Sequence, residues 1–398
     1  MVDTEKCFEV TAENLLNLES LTRFFPVRSV RKILRETGRA SKRERDLPAH
    51  VMVYYVIAMT MYMQLPYRDV LRQLLEGCSR LVSKCRRKPP VKSSISKARV
   101  RVGWEPFHEM HDQFVKPIAE ERTRGAWYRH WLTVGLDGSS VDVADTPEND
   151  KEFGRTRSDR GESAFPKIRF VSLLETGTRV LFGTRFAGFE GHSEKDLAKQ
   201  VLSSLKKGML CLADRYYLGY EFLKLALDTK ADVLWRASSV LTLKPEKILS
   251  DGSYLSTIYK TAADKKRGQD GIQVRVLEYT VKGFRDQYRL VTSILDPDLA
   301  PAQELASLYH ERWEIEISIG ELKTRLRGAD IVLRSQKPDM VRQEFLAFLL
   351  SYFAVRGIMH EAALQADEDP DRLSFTHAVQ VIRRKLPHFV AFSPTASA

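Results

Sequence analysis

The feature that most narrows what this chain can fold into is a change of hydrophobic period at Trp131. Up to about Thr123, apolar residues recur at helical spacing, notably through residues 51–63 and 70–75, and Thr11-Ala12-Glu13-Asn14 has the form of a helix-capping start. From Trp131 the chain turns to short apolar runs separated by turn residues, which is how strands read. Residues 132–136 form a buried strand ending in Asp137-Gly138, 140–144 a second strand, and 168–174 with 179–186 a hairpin about Glu175-Thr176-Gly177. A helix over 195–205, a strand over 209–213 ending in Asp214, and a helix over 220–227 follow. This alternation implies an α/β fold with a mixed sheet. Strands at 233–236, 273–281 and 287–295 make a β-rich insert; beyond Pro301 the spacing predicts two long helices, 303–327 and 338–363, before a frayed tail at 393–398.

Sixty-three Lys and Arg against 52 Asp and Glu leave a formal charge of +11, and its location says more than its size. Residues 20–101 hold 20 basic and 5 acidic side chains, so the excess belongs to the N-terminal quarter. A concentrated cationic region fits a polyanion, because neutralised phosphates release condensed counterions; a membrane surface is the competing partner. Any one cluster, such as Lys42-Arg43-Glu44-Arg45 or Lys84-Cys85-Arg86-Arg87-Lys88, also reads as a solvated face. The loop at 86–96, with Pro89-Pro90 and Ser93-Ser94, leads into a basic helix carrying Lys97, Arg99 and Arg101, which either lies against DNA or faces water.

Residues 47–67 contain no Lys, Arg, Asp or Glu, yet their continuous apolar part, 51–63, is too short to cross hydrocarbon. Pro48, His50, Gln64 and Pro66 bracket it, so a buried core helix is expected. Cys7, Cys78, Cys85 and Cys211 have no metal-ligand spacing, and Asp3, Glu5 and Glu9 do not suit a secretory leader; a reducing compartment is expected. With 43% apolar and 29% charged residues, the composition excludes bulk disorder, collagen-like repeats and low complexity. No Gly-rich phosphate loop, nucleophile elbow or His-Glu-x-x-His points to a small-molecule enzyme.

Chemistry concentrates on the expected 303–327 helix. At roughly 100° per residue from Tyr309, Arg312 falls near 300°, Glu316 near 340°, Gly320 near 20° and Lys323 near 320°, with Trp313 near 40° and Arg327 back at zero. One narrow face thus holds Tyr, two Arg, Trp, Glu and Lys beside the apolar stripe of Leu308, Ile315, Ile319, Leu322 and Leu326, with Glu311, Glu314 and Glu321 toward solvent. Such a face suits a site that holds a metal and a phosphate together. It is equally the surface of a helix laced by ion pairs, of which Arg312 with Glu316 is the one well-placed pair. Asp137 and Asp214 bear on that choice, because each follows a short buried strand and neighbouring strand ends can bring them together. Two Asp and one Glu can hold two divalent cations, one activating the attacking oxygen and the other stabilising the leaving oxygen of a phosphodiester. Taken singly, each Asp is as well a turn or cap residue, and Asp142 and Asp145 compete for the first position.

These residues resemble the transposases of the insertion-sequence-four family, within the wider Asp-Asp-Glu group. The family signature, Tyr, then Arg three residues on, Glu four further and Lys seven further, is met by Tyr309, Arg312, Glu316 and Lys323. Leu136-Asp137-Gly138 with Asp145-Thr146-Pro147-Glu148-Asn149 resembles the first-aspartate region, and Leu212-Ala213-Asp214-Arg215 the second. The similarity runs from the N-terminal region through Leu333-Arg334-Ser335-Gln336-Lys337-Pro338 and Arg342-Gln343-Glu344. One departure is Tyr216-Tyr217, where many relatives have Gly and Phe.

The resemblance implies an α/β chain with a ribonuclease-H-like catalytic core interrupted by a β-rich insertion, a helical N-terminal domain and a helical C-terminal region. The expected divisions are a DNA-binding domain over 1–125, core over 126–231, insertion over 232–300, core completion with the Glu helix over 301–365, and a tail over 366–398. It implies a DNA transposase that cuts an element at its terminal inverted repeats and joins it to target DNA by two-metal phosphoryl transfer, by way of a hairpin. Mg²⁺, with Mn²⁺ able to substitute, is then held by Asp137, Asp214 and Glu316. Tyr309, Arg312 and Lys323 grip phosphates, with Arg327 on the same face; Trp235, Tyr288 and Trp313 either stack on an extruded base or pack in the core. Its partners are double-stranded DNA and a second copy in a synaptic homodimer, in the bacterial cytoplasm at the nucleoid and without a membrane. The rivals are a structure-selective nuclease that cuts without joining and a domesticated DNA-binding protein without activity.

Overall fold

The computed structural model describes residues 19–42, 47–77, 91–158, 161–280, 287–326 and 332–385. Thr11-Ala12-Glu13-Asn14, Cys7, Cys78, Cys85, the clusters at 43–45 and 84–88, Arg327 and the 393–398 tail lie outside the described residues. The chain is a mixed α/β protein with one large sheet and many helices, divided into two compact units. The first takes residues up to Ile118, Val141–Ile168 and those from Gly320; the second takes Ala119–Ser140 and Arg169–Ile319.

The first unit is helical and organised about two apolar rods. The uncharged stretch forms the Ala49–Met61 helix, all of whose residues are buried, and it packs along the Pro338–Ala366 helix. Their polar exceptions satisfy one another: the Thr60 and Ser351 hydroxyls lie 2.6 Å apart, and Ser351 donates to the Ile57 carbonyl at 2.9 Å. The longer helix could cross a membrane by length and composition, but 89% of its apolar window is buried inside the protein, as in a core helix. Gly357 is needed there because a Cβ would stand 2.2 Å from the Phe24 ring.

The strands are β1 (Trp127–Tyr128), β2 (Trp131–Asp142), β3 (Arg157–Ser158), β4 (Gly161–Glu162), β5 (Lys167–Glu175), β6 (Val180–Ala187), β7 (Met209–Ala213), β8 (Asp232–Arg236), β9 (Lys247–Ile248), β10 (Tyr254–Ile258), β11 (Ile272–Thr280) and β12 (Gln287–Thr292). β3 and β4 pair only with each other; the large sheet runs β6-β5-β2-β7-β8-β12-β11-β10-β9, with β1 on β2. β2, β7 and β8 are parallel, and the hairpins at either side are antiparallel. β7 is apolar throughout because it lies in the interior of this sheet, and all five of its residues are buried. The stretch read from sequence as an insert, with strands at 233–236, 273–281 and 287–295, holds β8, β11 and β12 together with the short β9 and β10, and β9 to β12 extend the same sheet from β8.

Two expectations are corrected. Residues 140–144 are not a separate strand: β2 runs on through Asp137-Gly138 to Asp142, since Gly138 keeps extended backbone and does not turn the chain. The 303–327 helix is not continuous either. It breaks into Ala302–Leu308, a 3-10 turn Tyr309–Arg312, Trp313–Gly320 and a π-turn Glu321–Leu326. Irregular turns inside a helix mark places where side-chain demands override the regular ladder. Here the Thr324 hydroxyl donates to the Gly320 carbonyl at 2.7 Å, and Glu321 pairs with the buried Arg356.

Cys211 lies in mid-β7, fully buried, and burial pushes its thiol up to about 12. In native protein at about pH 8 a thiol reagent is expected to leave Cys211 unmodified until denaturant is added, as peptide mass mapping would show; rapid native labelling there would contradict the packing.

Candidate active site

Parallel register brings the two aspartates together. Leu136 pairs with Ala213 across β2 and β7, so the next positions, Asp137 and Asp214, stand side by side. Ala213 pairs with Trp235 across β7 and β8, which puts Arg236 next in that row, opposite Leu290 of β12. Asp137 Oδ1 accepts from the Gly138 N–H at 2.8 Å, and Asp214 Oδ1 from the Tyr216 N–H at 2.8 Å, so each carboxylate is oriented by a main-chain N–H close by in sequence.

The Trp313–Gly320 helix lies over this row. A Cβ on Gly135 would meet Ile315 at 3.4 Å, so helix and strand are in direct contact there. Tyr309 Oη donates to the Ala213 carbonyl at 3.1 Å, and Glu314 pairs with Arg179 of the β5–β6 turn. Glu314 and Glu321, expected on the solvent side, are instead only 15% and 16% exposed at the side chain, because each meets an inward-facing arginine. Arg312 Nη1 donates to Glu316 Oε1 at 2.7 Å, the ion pair that spacing singled out.

The electrostatics record the convergence. Burial, and then the charges of Asp214 and Glu316, raise the Asp137 carboxyl to about 6, against the pull of the Gly138 N–H and Arg312. Burial opposes the Arg312 charge, but its bond to Glu316 and the neighbouring Tyr309 and Asp137 outweigh it and hold the guanidinium above its ordinary value. Asp137, Asp214, Arg312 and Glu316 thus act on one another as a set. Among the described residues no group of three His, Cys, Asp or Glu is gathered into a ready-made metal cage, and the Glu316 carboxylate is engaged by Arg312. The donor chemistry nonetheless suits a hard cation, since three carboxyl groups whose charges oppose one another gain from a positive ion between them.

A raised carboxyl carries a stability cost with a definite sign. Its folded value lies above the unfolded 3.8, so the folded state takes up the proton first and loses stability as pH rises through about 6. In chelator, Asp137→Asn is expected to melt above the wild type at about pH 7.5, with the gap roughly halved by about pH 5 and closed only below the unfolded 3.8; equal melting temperatures at about pH 7.5 would count against the clustering.

The competing aspartates are committed elsewhere. Asp142 pairs with Lys167, and Asp145 with Arg155 at 2.5 Å, while Thr146 caps the Pro147–Phe153 helix by accepting from the Asn149 N–H. Of the expected phosphate-gripping residues, Tyr309 is 7% exposed with its hydroxyl bound to a carbonyl, so it anchors the helix in this arrangement. Lys323 is on the π-turn and belongs to the first unit, as do Lys97, Arg99 and Arg101. Trp235 is fully buried and offers no face to a base; Trp313 is 53% exposed with Arg312 4.8 Å from its ring, and Tyr288 lies under Arg236 at 4.2 Å, stacked on Tyr279.

Sequence reasoning missed Glu194, and marked Tyr217 only as a departure from relatives. Tyr217 Oη donates to Glu194 Oε1 at 2.8 Å, and burial, then the charges of Glu194, Asp137 and Asp214, push that phenol far up. Glu194 also fills the space a Cβ on Gly138 would need, at 2.8 Å. The signal was faint: a Ser193 capping box starts the Glu194–Leu202 helix, but nothing local says where that helix end points.

Comparison with known proteins finds two family matches. Residues 15–112 match the family described as insertion element 4 transposase N-terminal, and residues 133–354 match the family described as transposase DDE domain. The chain is 28% identical over 390 residues to transposase InsG for insertion sequence element IS4 of Escherichia coli (strain K12), covering 95% of this chain and 85% of that protein. A solved structure with similarity is the piggyBac transposase synaptic complex with hairpin DNA, determined by cryo-EM, at 12% identity and a TM-score of 0.49, covering 95% of this chain and 81% of that one.

Proposed function

The chain belongs to the DDE transposases, enzymes of DNA cleavage and transfer, with the N-terminal region of the insertion element 4 branch, and on that premise we propose that Asp137, Asp214 and Glu316 are its catalytic triad. The observation that carries this is the register row placing Asp137 beside Asp214 under a helix whose Glu316 charge reaches Asp137. Transposases of this family generally use divalent metal ions. Bound at the three carboxylates, Mg²⁺, or Mn²⁺ in its place, would supply Lewis acidity at the phosphate and an activated attacking oxygen, in the two-metal manner.

The protein's own groups do the positioning. Arg312, charged at any working pH, neutralises Glu316 and offers its remaining N–H donors to a phosphate oxygen. The exposed Trp313 face and the Arg236–Tyr288 pair offer surfaces for a displaced base. Lys323 and the basic residues of the first unit, Lys97 and Arg101 among them, contribute charge for the DNA backbone. The core is ribonuclease-H-like in this reading, with residues 232–300, strands β8 to β12, as its insertion and residues 1–125 as the DNA-binding domain. The Tyr-Arg-Glu-Lys signature, as in similar proteins, supports a cut-and-paste route through a hairpin, and the reading is completed by a homodimer acting on nucleoid DNA in the bacterial cytoplasm.

The test is Mg²⁺-dependent cleavage and joining of a labelled duplex carrying the element's own flanking ends, with Asp137→Asn alongside. Joined products from the wild type alone support the proposal. Cutting without joining would favour the nuclease, and no chemistry from the wild type on correct ends would overturn the triad.

A further inference from the structure

Strand register sets Asp137 beside Asp214, but the β2–β7 ladder ends one residue earlier, at the Leu136 and Ala213 pair. Past that point a side-chain bridge spans the two chains. Tyr217 lies on the turn that leaves β7, where its N–H donates to the Asp214 carbonyl at 3.3 Å, and its hydroxyl donates to Glu194 Oε1 at 2.8 Å. The Glu194 carboxyl group in turn lies against Gly138, the residue whose N–H holds the Asp137 carboxylate. We propose that Tyr217 and Glu194 are positioning residues that brace Asp137 and Asp214 at the separation a divalent cation needs. The proposal rests on the triad reading and deepens it, by naming groups outside the three carboxylates that set how tightly the ion is held.

Both ends of the bridge are anchored. Glu194 is the first residue of the Glu194–Leu202 helix, whose start is locked reciprocally: Ser193 Oγ accepts from the Asp196 N–H at 3.2 Å, and the Ser193 N–H donates to Asp196 Oδ2 at 3.0 Å. Leu197, Ala198, Val201 and Leu202 bury the inner face of that helix. Tyr217 is 1% exposed, its ring edge-on to Tyr216 and Phe222 at centroid distances of 5.3 and 6.3 Å. Lys195 Nζ, 4.9 Å from the centre of the Tyr216 ring, ties the same two elements a second time. A phenol packed on all sides loses little freedom on bonding, so it can hold its partner in one place.

Gly138 completes the brace. A Cβ there would stand 2.8 Å from Glu194 Cδ and 2.9 Å from Oε1, so glycine is what lets the carboxyl group lie against the strand. Oε1 is also the atom that accepts from Tyr217, and one oxygen therefore links the turn after Asp214 to the backbone beside Asp137. Groups that orient metal ligands without touching the ion are worth about 10- to 100-fold in metal affinity. In this role Glu194 is needed for its accepting oxygen and its shape, not for its charge.

The experiment follows free Mn²⁺ by electron paramagnetic resonance as the ion is titrated into the full-length protein, a readout that needs neither DNA nor turnover. Tyr217→Phe removes the hydroxyl alone, and Gly138→Ala opens the bridge at its other end by pushing Glu194 aside; each should weaken Mn²⁺ binding about tenfold. Glu194→Gln keeps an oxygen for the Tyr217 donor and should stay within about threefold of wild type, the remainder being the effect of its lost charge. Melting in chelator shows that each variant is folded, and if Tyr217→Phe melts far below wild type, Gly138→Ala decides. Wild-type affinity in the bridge variants would overturn the brace, and so would a loss in Glu194→Gln as large as theirs, which would make Glu194 a ligand. Asp137→Asn tests the reading underneath: a wild type that takes up no Mn²⁺, or an Asp137→Asn that binds it as the wild type does, would overturn the triad instead.

Discussion

Glu316→Gln should hold element-end DNA as tightly as the wild type and yet yield neither cut nor joined product, a loss of at least about 100-fold. That floor follows because outer partners of metal ligands alone cost 10- to 100-fold when removed, and Glu316 is proposed as a ligand itself. The substitution is nearly isosteric and leaves its helix pinned, since Ile315 against Gly135, Tyr309 on the Ala213 carbonyl and Glu314 with Arg179 are all untouched. Glutamine can still accept from Arg312, so the local geometry survives while the charge does not. The change also removes one of the two acidic charges that raise Asp137, so the Asp137 carboxyl should titrate below about 6 in the variant. Gel analysis of products beside anisotropy of binding separates chemistry from affinity. Activity within about tenfold of wild type would remove Glu316 from the reaction.

How much of this could be read from the chain depends on how local the cause is. β7 was legible because five buried apolar residues before an Asp can hardly be anything but an interior strand, and the Ala49–Met61 helix because thirteen consecutive positions carry no charge. The Arg312 and Glu316 pair was legible because four residues is one helical turn. Three other features depend on contacts distant in sequence. The break of the 303–327 helix follows from what Tyr309 and Glu321 meet on other elements, at Ala213 and Arg356, and helical periodicity is blind to both. Continuation of β2 through Asp137-Gly138 depends on strand pairing, which overrode a turn-like dipeptide. Arg236 and Glu194 reach the acidic row only through parallel register and the direction of one helix end. The proposed triad could therefore be assembled from a family signature, while its supporting contacts required the sheet itself.

The largest stability effect is expected far from the chemistry, at Arg275 on β11, which is fully buried. Its guanidinium donates to Ser253 Oγ at 2.7 Å, to the carbonyls of Ala300 at 2.7 Å and Asp296 at 3.3 Å, and pairs with Asp251. One side chain thus ties β10, β11 and the chain leading into the Ala302–Leu308 helix. Burial draws Arg275 below its ordinary value, yet the Asp251 charge opposes that shift and the group stays protonated. Arg275→Ala should destabilise the protein by about 3–5 kcal/mol, because it leaves a carboxylate and several acceptors without their donor. Asp251 supplies a second check. Burial alone would raise its carboxyl, but the Ser253 hydroxyl, the Ala302 and Ser253 N–H groups and Arg275 outweigh that and hold it below its usual range. A depressed carboxyl contributes stability above its unfolded value of about 3.9 and loses that contribution as pH falls through the folded value. Urea unfolding of Asp251→Asn should accordingly give lower stability than wild type near neutrality and a flatter decline below about pH 4. If Arg275→Ala unfolds at the wild-type urea midpoint, the buried network contributes nothing and the β11 packing must be carried by its apolar face alone.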